Sequence, residues 1–383
     1  MARRVGVVAL AQSKFEASRK DLSLVELADS VVSDVRKQTG LGFGHGQIDS
    51  TTVATDDFWD QKTLSDTQYQ DILGGVHADQ TKIPQDGLQA FKYSAATIMG
   101  GRDDVILVLG ICKESMIVSR GSITNFGLEP VYHRPLGLDY LNVAALQSRA
   151  YMHKYGIPRE QCAEVVVKSR KNAQKNPWAM ALGEVSVEDV LASDMLASPI
   201  SALDQRPVMD GACAILLACE EKVRRLTANP VWVAGAASAR DKHQPGTRDL
   251  AGCPALEAAA GRAYEMAGIS DPKKDVDLFE LSNEYSYQEL LWSEGVGICG
   301  PGEGAKLFAS GKTRIDGSMP VNTSGGGLVG GPTLVAGLSR VAECVVQLQG
   351  NAQGRQVDGA KFAVAQGQSG PAGQLQSVVV LGR

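Results

Sequence analysis

The sequence predicts an α/β protein made of one βαβ-type unit used twice, and three observations carry that prediction. Its 383 residues are too many for one ordinary core and suggest about two or three domains or a duplicated unit. Short apolar runs rich in valine alternate with amphipathic stretches, the pattern of strands buried between helices. The order strand, helix, strand, excursion, helix, strand occurs once before Gly110 and again after Val231.

Val5 to Leu10 reads as the first buried strand. The two arginines before it imitate a leader peptide, but the apolar stretch ends at Ala11-Gln12-Ser13-Lys14, so a strand is the reading. Ser23 to Gln38 reads as a helix, with Ser23 and Glu26 spaced as a capping box and Leu24, Leu27, Val31, Val32 and Val35 on one face. Ile48 to Thr55 is β-branched and strand-like, Asp56 to Gln80 a polar excursion, Gly87 to Gly100 a helix of small residues, and Asp104 to Gly110 a buried strand. In the second half Val231 to Ala237 is a strand, Pro254 to Ala267 a helix, Asp275 to Leu281 a strand and Pro332 to Leu348 a helix. Ala360 to Ala365 then leads to a last strand at Val378 to Leu381. Helix Ser23–Gln38 thus answers Pro254–Ala267, and Gly87–Gly100 answers Pro332–Leu348, each half with a mostly parallel sheet.

Between the halves lies an insertion with an aromatic, proline-bearing segment, Val131 to Tyr140. A helical Asn142 to Tyr155 follows, and then a helix opened by Pro158. The expected division is 1–115 with 203–229 as the first half, 116–202 as an inserted lobe, and 230–383 as the second half. Such an insertion either builds a substrate pocket or serves as a packing or dimerisation lobe.

A net charge of −5 gives no basic footprint for nucleic acid, and no apolar run reaches the length of a membrane span. Seven scattered cysteines without a Cys-x-x-Cys pair argue for reduced, mostly buried thiols in a cytoplasmic protein. The five histidines show no metal-ligand spacing, so no metal is expected. Five glycines crowd positions Gly325 to Gly331 of the stretch Asn322 to Gly337, which reads either as a flexible surface turn or as backbone brought close to a ligand.

Six stretches stand out in order along the chain: Gly87 to Ala90 with its helix, Val105 to Ser115, Tyr151 to Gly156, Asp210 to Ala214, Gly302 to Gly304 and Asp316 to Gly326. Together they resemble the thiolase superfamily, and within it the lipid-transfer-protein (SCP2-type) branch. The resemblance implies a duplicated five-layer α-β-α-β-α fold with an inserted loop domain, usually dimeric, acting on acyl-CoA thioesters, with CoA as part of the substrate and no covalent cofactor. It does not carry over the catalytic set. The cysteine nucleophile's position holds Pro84, the Gly-His-Pro histidine's position holds Gly331, and no cysteine follows Cys344.

Thiolase chemistry needs a thiolate to hold the acyl group, which a proline cannot supply. Retro-aldol cleavage of a β-hydroxyacyl-CoA needs only a base and donors for the enolate oxygen. A steroid side-chain-cleaving aldolase branch of the superfamily also lacks the cysteine, and this chain resembles it in part. The candidates are Tyr285, Glu284, Tyr287 and Asn283, with Asp86 as an alternative base and Gly330, Gly331 and Asn322 as oxyanion or backbone groups. The rival expectation is a non-catalytic subunit. It would pair with a cysteine-bearing thiolase-like chain, or with the small zinc-ribbon/OB-fold (DUF35-type) partner that members of this branch often use.

Overall fold

The computed structural model describes residues 3–383. The first unit contains β1 (Val5–Gln12), α1 (Leu24–Thr39), β2 (Ser50–Ala54), β3 (Asp79–Ile83), α2 (Gly87–Met99) and β4 (Val105–Lys113). The inserted lobe follows, with α3 (Arg120–Phe126), α4 (Tyr140–Tyr155), α5 (Arg159–Ala173), α6 (Val187–Ala192) and a short hairpin, β5 (Met195–Ala197) and β6 (Ile200–Ser201). β7 (Asp210–Cys219) and α7 (Glu220–Leu226) complete the first unit. The second unit contains β8 (Val231–Arg240), α8 (Pro254–Ala267), α9 (Pro272–Asp275), β9 (Leu278–Glu280), α10 (Ser286–Gly295), α11 (Gly304–Ala309), α12 (Ala336–Leu348), β10 (Phe362–Ser369) and β11 (Leu375–Gly382).

The strand order β3-β2-β4-β7-β1-β8-β11-β10-β9 makes the duplication explicit. Reading outward from the centre, β1, β7, β4 and β2 answer β8, β11, β10 and β9. The two halves of the sheet join through β1 and β8, paired among the described residues at Gly6 opposite Trp232 and Val7 opposite Val231. The parallel pairing expected from sequence holds for β2–β4 and β9–β10, while β7 and β11 run antiparallel to both their neighbours. The last strand of each unit returns from a hairpin or from the lobe, so it needs no crossover helix.

Side-chain alternation divides the core into layers. On β4, Val105, Leu107, Leu109 and Ile111 pack with α1, while Ile106 and Val108 face the opposite way towards α2 and α12. On β11, Val379 and Leu381 join that central layer, and Val378 and Val380 pack towards α8. The stack is therefore α1, first sheet, α2 with α12, second sheet, α8. This is the five-layer arrangement, and the starts of its two central helices lie together. Among the described residues no helix is long and apolar enough to cross a membrane.

Element boundaries follow local chemistry. The capping box at α1 is formed, with Glu26 N–H donating to Ser23 Oγ at 3.2 Å and Ser23 N–H donating to Glu26 Oε2 at 2.8 Å. α12 starts at Ala336 rather than Pro332, because Pro332 to Val335 forms a separate turn whose carbonyl at Pro332 accepts from Val335 and Ala336. β9 is shorter than expected, since Asp275 ends α9.

The glycine-rich stretch is not a surface turn. From Asn322 to Leu334 every residue is buried except the half-buried Thr333. Gly325 has φ of +97°, and a Cβ there would lie 2.8 Å from the Ser169 carbonyl oxygen of α5 and 2.4 Å from a Val329 methyl. The glycines thus let this loop press against the lobe's backbone. Gly325→Ala is expected to lower stability by about 1–3 kcal/mol through strain and overpacking. A denaturant midpoint within about 0.5 kcal/mol of the parent would contradict this packing role.

Candidate active site

Where the two central helices begin, beneath the lobe, the chain encloses a cavity of about 500 Å³. Pro84, Gln85 and Asp86 enter it from the start of α2, and Glu284, Tyr285 and Gln288 from the loop and first turn of α10. The lobe contributes Arg120, Thr124 and Tyr140, the return to β7 contributes Arg206, and the glycine loop delivers Thr333 and Leu334.

Asp86 caps α2. Its Oδ1 accepts from Leu88 N–H at 2.9 Å, and its Oδ2 accepts from Gly337 N–H in the first turn of α12 at 2.7 Å. Burial pushes its carboxyl up to about 7 against those two hydrogen bonds, and nearby Glu284 adds to the rise. Glu284 is half-buried at the cavity wall, and among the described residues no group hydrogen-bonds its carboxylate. Burial raises its pKa, and the positive Arg206 counters only part of that rise. Tyr285 stands beside it with a hydroxyl that burial, then Glu284, pushes up. Tyr140 reaches in from α4, its hydroxyl raised to about 12 by burial, then by Glu284 and Asp56.

The cavity wall is braced by a charged cluster. Glu114, at the end of β4 and fully buried, accepts from Arg206 at 2.9 and 2.7 Å, and also from Arg120. Thr333 donates to it through its N–H at 3.0 Å and its hydroxyl at 2.8 Å. Burial alone would raise the Glu114 pKa, but the two guanidiniums overcome it and hold the carboxyl below the usual range. One carboxylate thereby joins β4, the lobe and the glycine loop.

The sequence candidates separate into two groups. Glu284, Tyr285, Asp86 and Pro84 line the cavity, whereas Tyr287, Asn283, Asn322, Gly330 and Gly331 do not. Tyr287 is buried behind the wall and donates to Gln147 Oε1 at 2.8 Å. Asn283 and Asn322 both donate to Glu289 Oε2, at 3.1 and 2.8 Å, in a buried cluster closed by Lys168. Gly330 gives its carbonyl to Arg340 at 3.2 Å. At Gly331, φ is +92° and a Cβ would lie 2.7 Å from the Ala336 Cα, so this position turns the chain into α12. Tyr140, Arg120, Arg206, Glu114 and Thr333 were not among the candidates. Tyr140 ends the aromatic segment of the insertion, Glu114 lies in the Val105 to Ser115 motif and Thr333 in the glycine-rich stretch, whereas Arg120 and Arg206 carried no signal.

Residues 236–383 match the family described as Thiolase C-terminal domain-like. The acetyl-CoA acetyltransferase of Methanothermobacter thermautotrophicus is 33% identical over 309 residues, which cover 78% of this chain and 80% of that protein. The chain belongs to the thiolase superfamily. Bovine sterol carrier protein 2 is 32% identical over 353 residues, covering 79% of this thiolase-fold chain and 64% of the relative, which places it in the SCP2-type branch. The solved Ltp2-ChsH2(DUF35) aldolase shares the fold, with a TM-score of 0.83 at 22% identity over 99% of this chain and 97% of that one.

Glu114→Gln removes the charge that compensates two largely buried arginines. It is expected to cost about 3–5 kcal/mol. Urea unfolding that shows a loss below about 1 kcal/mol would mean the cluster is not the brace described.

Proposed function

We propose that this chain acts on acyl-CoA thioesters and breaks or forms a carbon–carbon bond beside the thioester carbonyl without a cysteine nucleophile. Retro-aldol cleavage of a β-hydroxyacyl-CoA is the reaction its cavity supports best. The observation behind this is the unpaired Glu284 carboxylate beside Tyr285, in a cavity whose described lining contains no cysteine. Pro84 stands at the wall where the superfamily resemblance places the nucleophile, and a proline ring offers none. Cys112, at the end of β4, is fully buried with its thiol pushed up by burial, the opposite of an activated nucleophile. The superfamily membership and the aldolase whose fold it shares support the same reading. The seven free thiols support a reducing, cytoplasmic setting.

In this reading Glu284 takes the proton from the β-hydroxyl. The bond between C2 and C3 breaks, a carbonyl product leaves, and the electron pair becomes the enolate of the shortened thioester. The protonated Glu284 then returns its proton to C2, giving the shorter acyl-CoA. Burial keeps the Tyr285 hydroxyl protonated at neutral pH, which makes it a hydrogen-bond donor to the thioester oxygen rather than the base. CoA enters only as part of the substrate.

Glu284→Gln is expected to lower kcat with a β-hydroxyacyl-CoA by at least about 100-fold, and Tyr285→Phe by about 10- to 1000-fold. Unchanged turnover in both would remove these assignments. For the parent, activity should rise with pH through a midpoint above the ordinary glutamate value of about 4.3. The same raised pKa bears on stability. Between the ordinary and the raised value the folded state binds the extra proton, so stability falls as pH rises through that window and stays reduced at neutral pH. Glu284→Gln should therefore be more stable than the parent at pH 7 by thermal unfolding, and a less stable variant would contradict the unpaired carboxylate.

A second reading keeps the chain as a subunit, because a fold neighbour is an aldolase named together with a DUF35 component, and β3 leaves one sheet edge unpaired. It proposes a thiolase-type homo- or heterodimer, or a zinc-ribbon/OB-fold partner. Purified alone, the chain would then show no cleavage of β-hydroxyacyl-CoA or β-ketoacyl-CoA, and would gain it with its co-purifying partner. Turnover by the isolated chain would end the subunit-only reading.

A further inference from the structure

We propose that Tyr140 makes this cavity selective for one configuration at C3 of a β-hydroxyacyl thioester, by donating a hydrogen bond to the β-oxygen while Glu284 takes that oxygen's proton. The inference rests on the thioester reading of the cavity and adds to it a specificity residue from the inserted lobe. Tyr140 lines the same cavity as Glu284 and Tyr285, but it arrives on α4 instead of the loop before α10.

The tyrosine is held everywhere except at its hydroxyl. Asp139, just before it, forms the capping box of α4 with Asn142, donating its N–H to Asn142 Oδ1 at 3.2 Å and accepting from Asn142 N–H at 2.9 Å. The Tyr140 N–H donates to Thr124 Oγ1 at 3.3 Å, which ties the start of α4 to α3. Its side chain packs against the buried Leu128, Val143 and Ala372. Gly127 leaves room for the far end of the ring, since a Cβ there would lie 2.3 Å from the Tyr140 hydroxyl oxygen. That oxygen hydrogen-bonds to no described residue, although it belongs to a side chain on the cavity wall. A phenylalanine would make the same ring contacts, so packing accounts for the ring and leaves the hydroxyl without a partner inside the fold.

Burial, then the negative charges of Glu284 and Asp56, keeps this phenol protonated at neutral pH, so it donates a hydrogen bond and does not act as a base. A β-hydroxyl has one proton to give and lone pairs to offer. Glu284 accepts the proton, and Tyr140 donates to a lone pair. With Tyr285 on the thioester oxygen, both the carbonyl and the C3 oxygen are fixed in direction. The hydrogen and the carbon chain on C3 then fall in two unlike places. Exchanging them misplaces the chain or breaks one of the hydrogen bonds, so only one epimer makes all three contacts at once.

The test uses the full chain and the two C3 epimers of 3-hydroxyoctanoyl-CoA, whose cleavage gives hexanal and acetyl-CoA. In the parent, kcat/KM for one epimer should exceed that for the other at least about tenfold, and Tyr140→Phe should bring that ratio below about threefold by slowing the favoured epimer. In a Glu284→Gln background, calorimetry should show the favoured epimer binding at least about fivefold more tightly than octanoyl-CoA, a difference that Tyr140→Phe erases. Thermal unfolding checks that Tyr140→Phe leaves the fold intact. An epimer ratio and a binding difference that both survive Tyr140→Phe overturn the role of Tyr140, as does equal binding of both epimers and octanoyl-CoA before that change. If the isolated chain turns over neither epimer, the binding difference alone decides. If Glu284→Gln cleaves like the parent while the epimer ratio still depends on Tyr140, the base assignment fails and the specificity residue stands. If Glu284→Gln abolishes cleavage while Tyr140→Phe changes neither the ratio nor the binding, the base stands and this inference fails. Binding of none of the three thioesters overturns both.

Discussion

The Asp86 carboxylate is the contact on which the two halves depend. One of its oxygens takes an amide hydrogen at the start of α2 and the other takes one at the start of α12, so both central helices begin on a single side chain. The surrounding backbone is shaped to that carboxylate. A Cβ on Gly337 would lie 1.9 Å from its Oδ1, and one on Gly367 would lie 2.4 Å away, so both residues must be glycine for the acid to fit. Two effects oppose each other here. Helix starts favour an anion, while burial and Glu284 favour the neutral acid, and burial is the larger. With those two amides committed to Asp86, they are not free to face a thioester oxygen. The convergence of the helix starts therefore serves the junction of the repeats.

The fold was legible because its two signals are local. Valine-rich runs and a capping box at Ser23 depend on neighbours within a few residues, and the repeated order of elements needs no long-range information. The direction of β7 and β11 was not legible, since it depends on where the lobe and the final hairpin return the chain. Of the two readings of the glycine loop, the surface turn fails for a related reason. Glycine frequency says that backbone comes close to something, but not to what. Here it comes close to α5 and Asn283.

The site was legible only where a motif fixed a position. Glu284, Tyr285, Pro84 and Asp86 sit at the ends of elements that the superfamily resemblance aligns, and they meet in the cavity. Glu114, Arg206 and Thr333 meet across 92 and 219 residues of chain, and nothing near any of them in sequence announces the others. Tyr287 and Asn283 show the converse error. They flank the right loop, but a side chain two residues from Tyr285, or one from Glu284, points into the core instead of the cavity.

The charges around the cavity support a division of labour. Glu114 is surrounded by donors and arginines that hold it ionised, so it braces the wall and cannot accept a substrate proton near neutral pH. Glu284 lies near the same arginines, yet its carboxylate has no hydrogen bond to any described residue, and its pKa rises instead of falling. Two neighbouring glutamates, Glu114 buried and Glu284 half-buried, are thus driven apart by their partners. The difference follows from which of them the backbone lets the guanidiniums reach, since Arg206 N–H donates to the Glu284 carbonyl while its side chain turns to Glu114. An acid left without partners is destabilising in a structure built only to fold. Its place beside Tyr285, at the wall of a cavity, is the observation on which the proposed role of Glu284 rests.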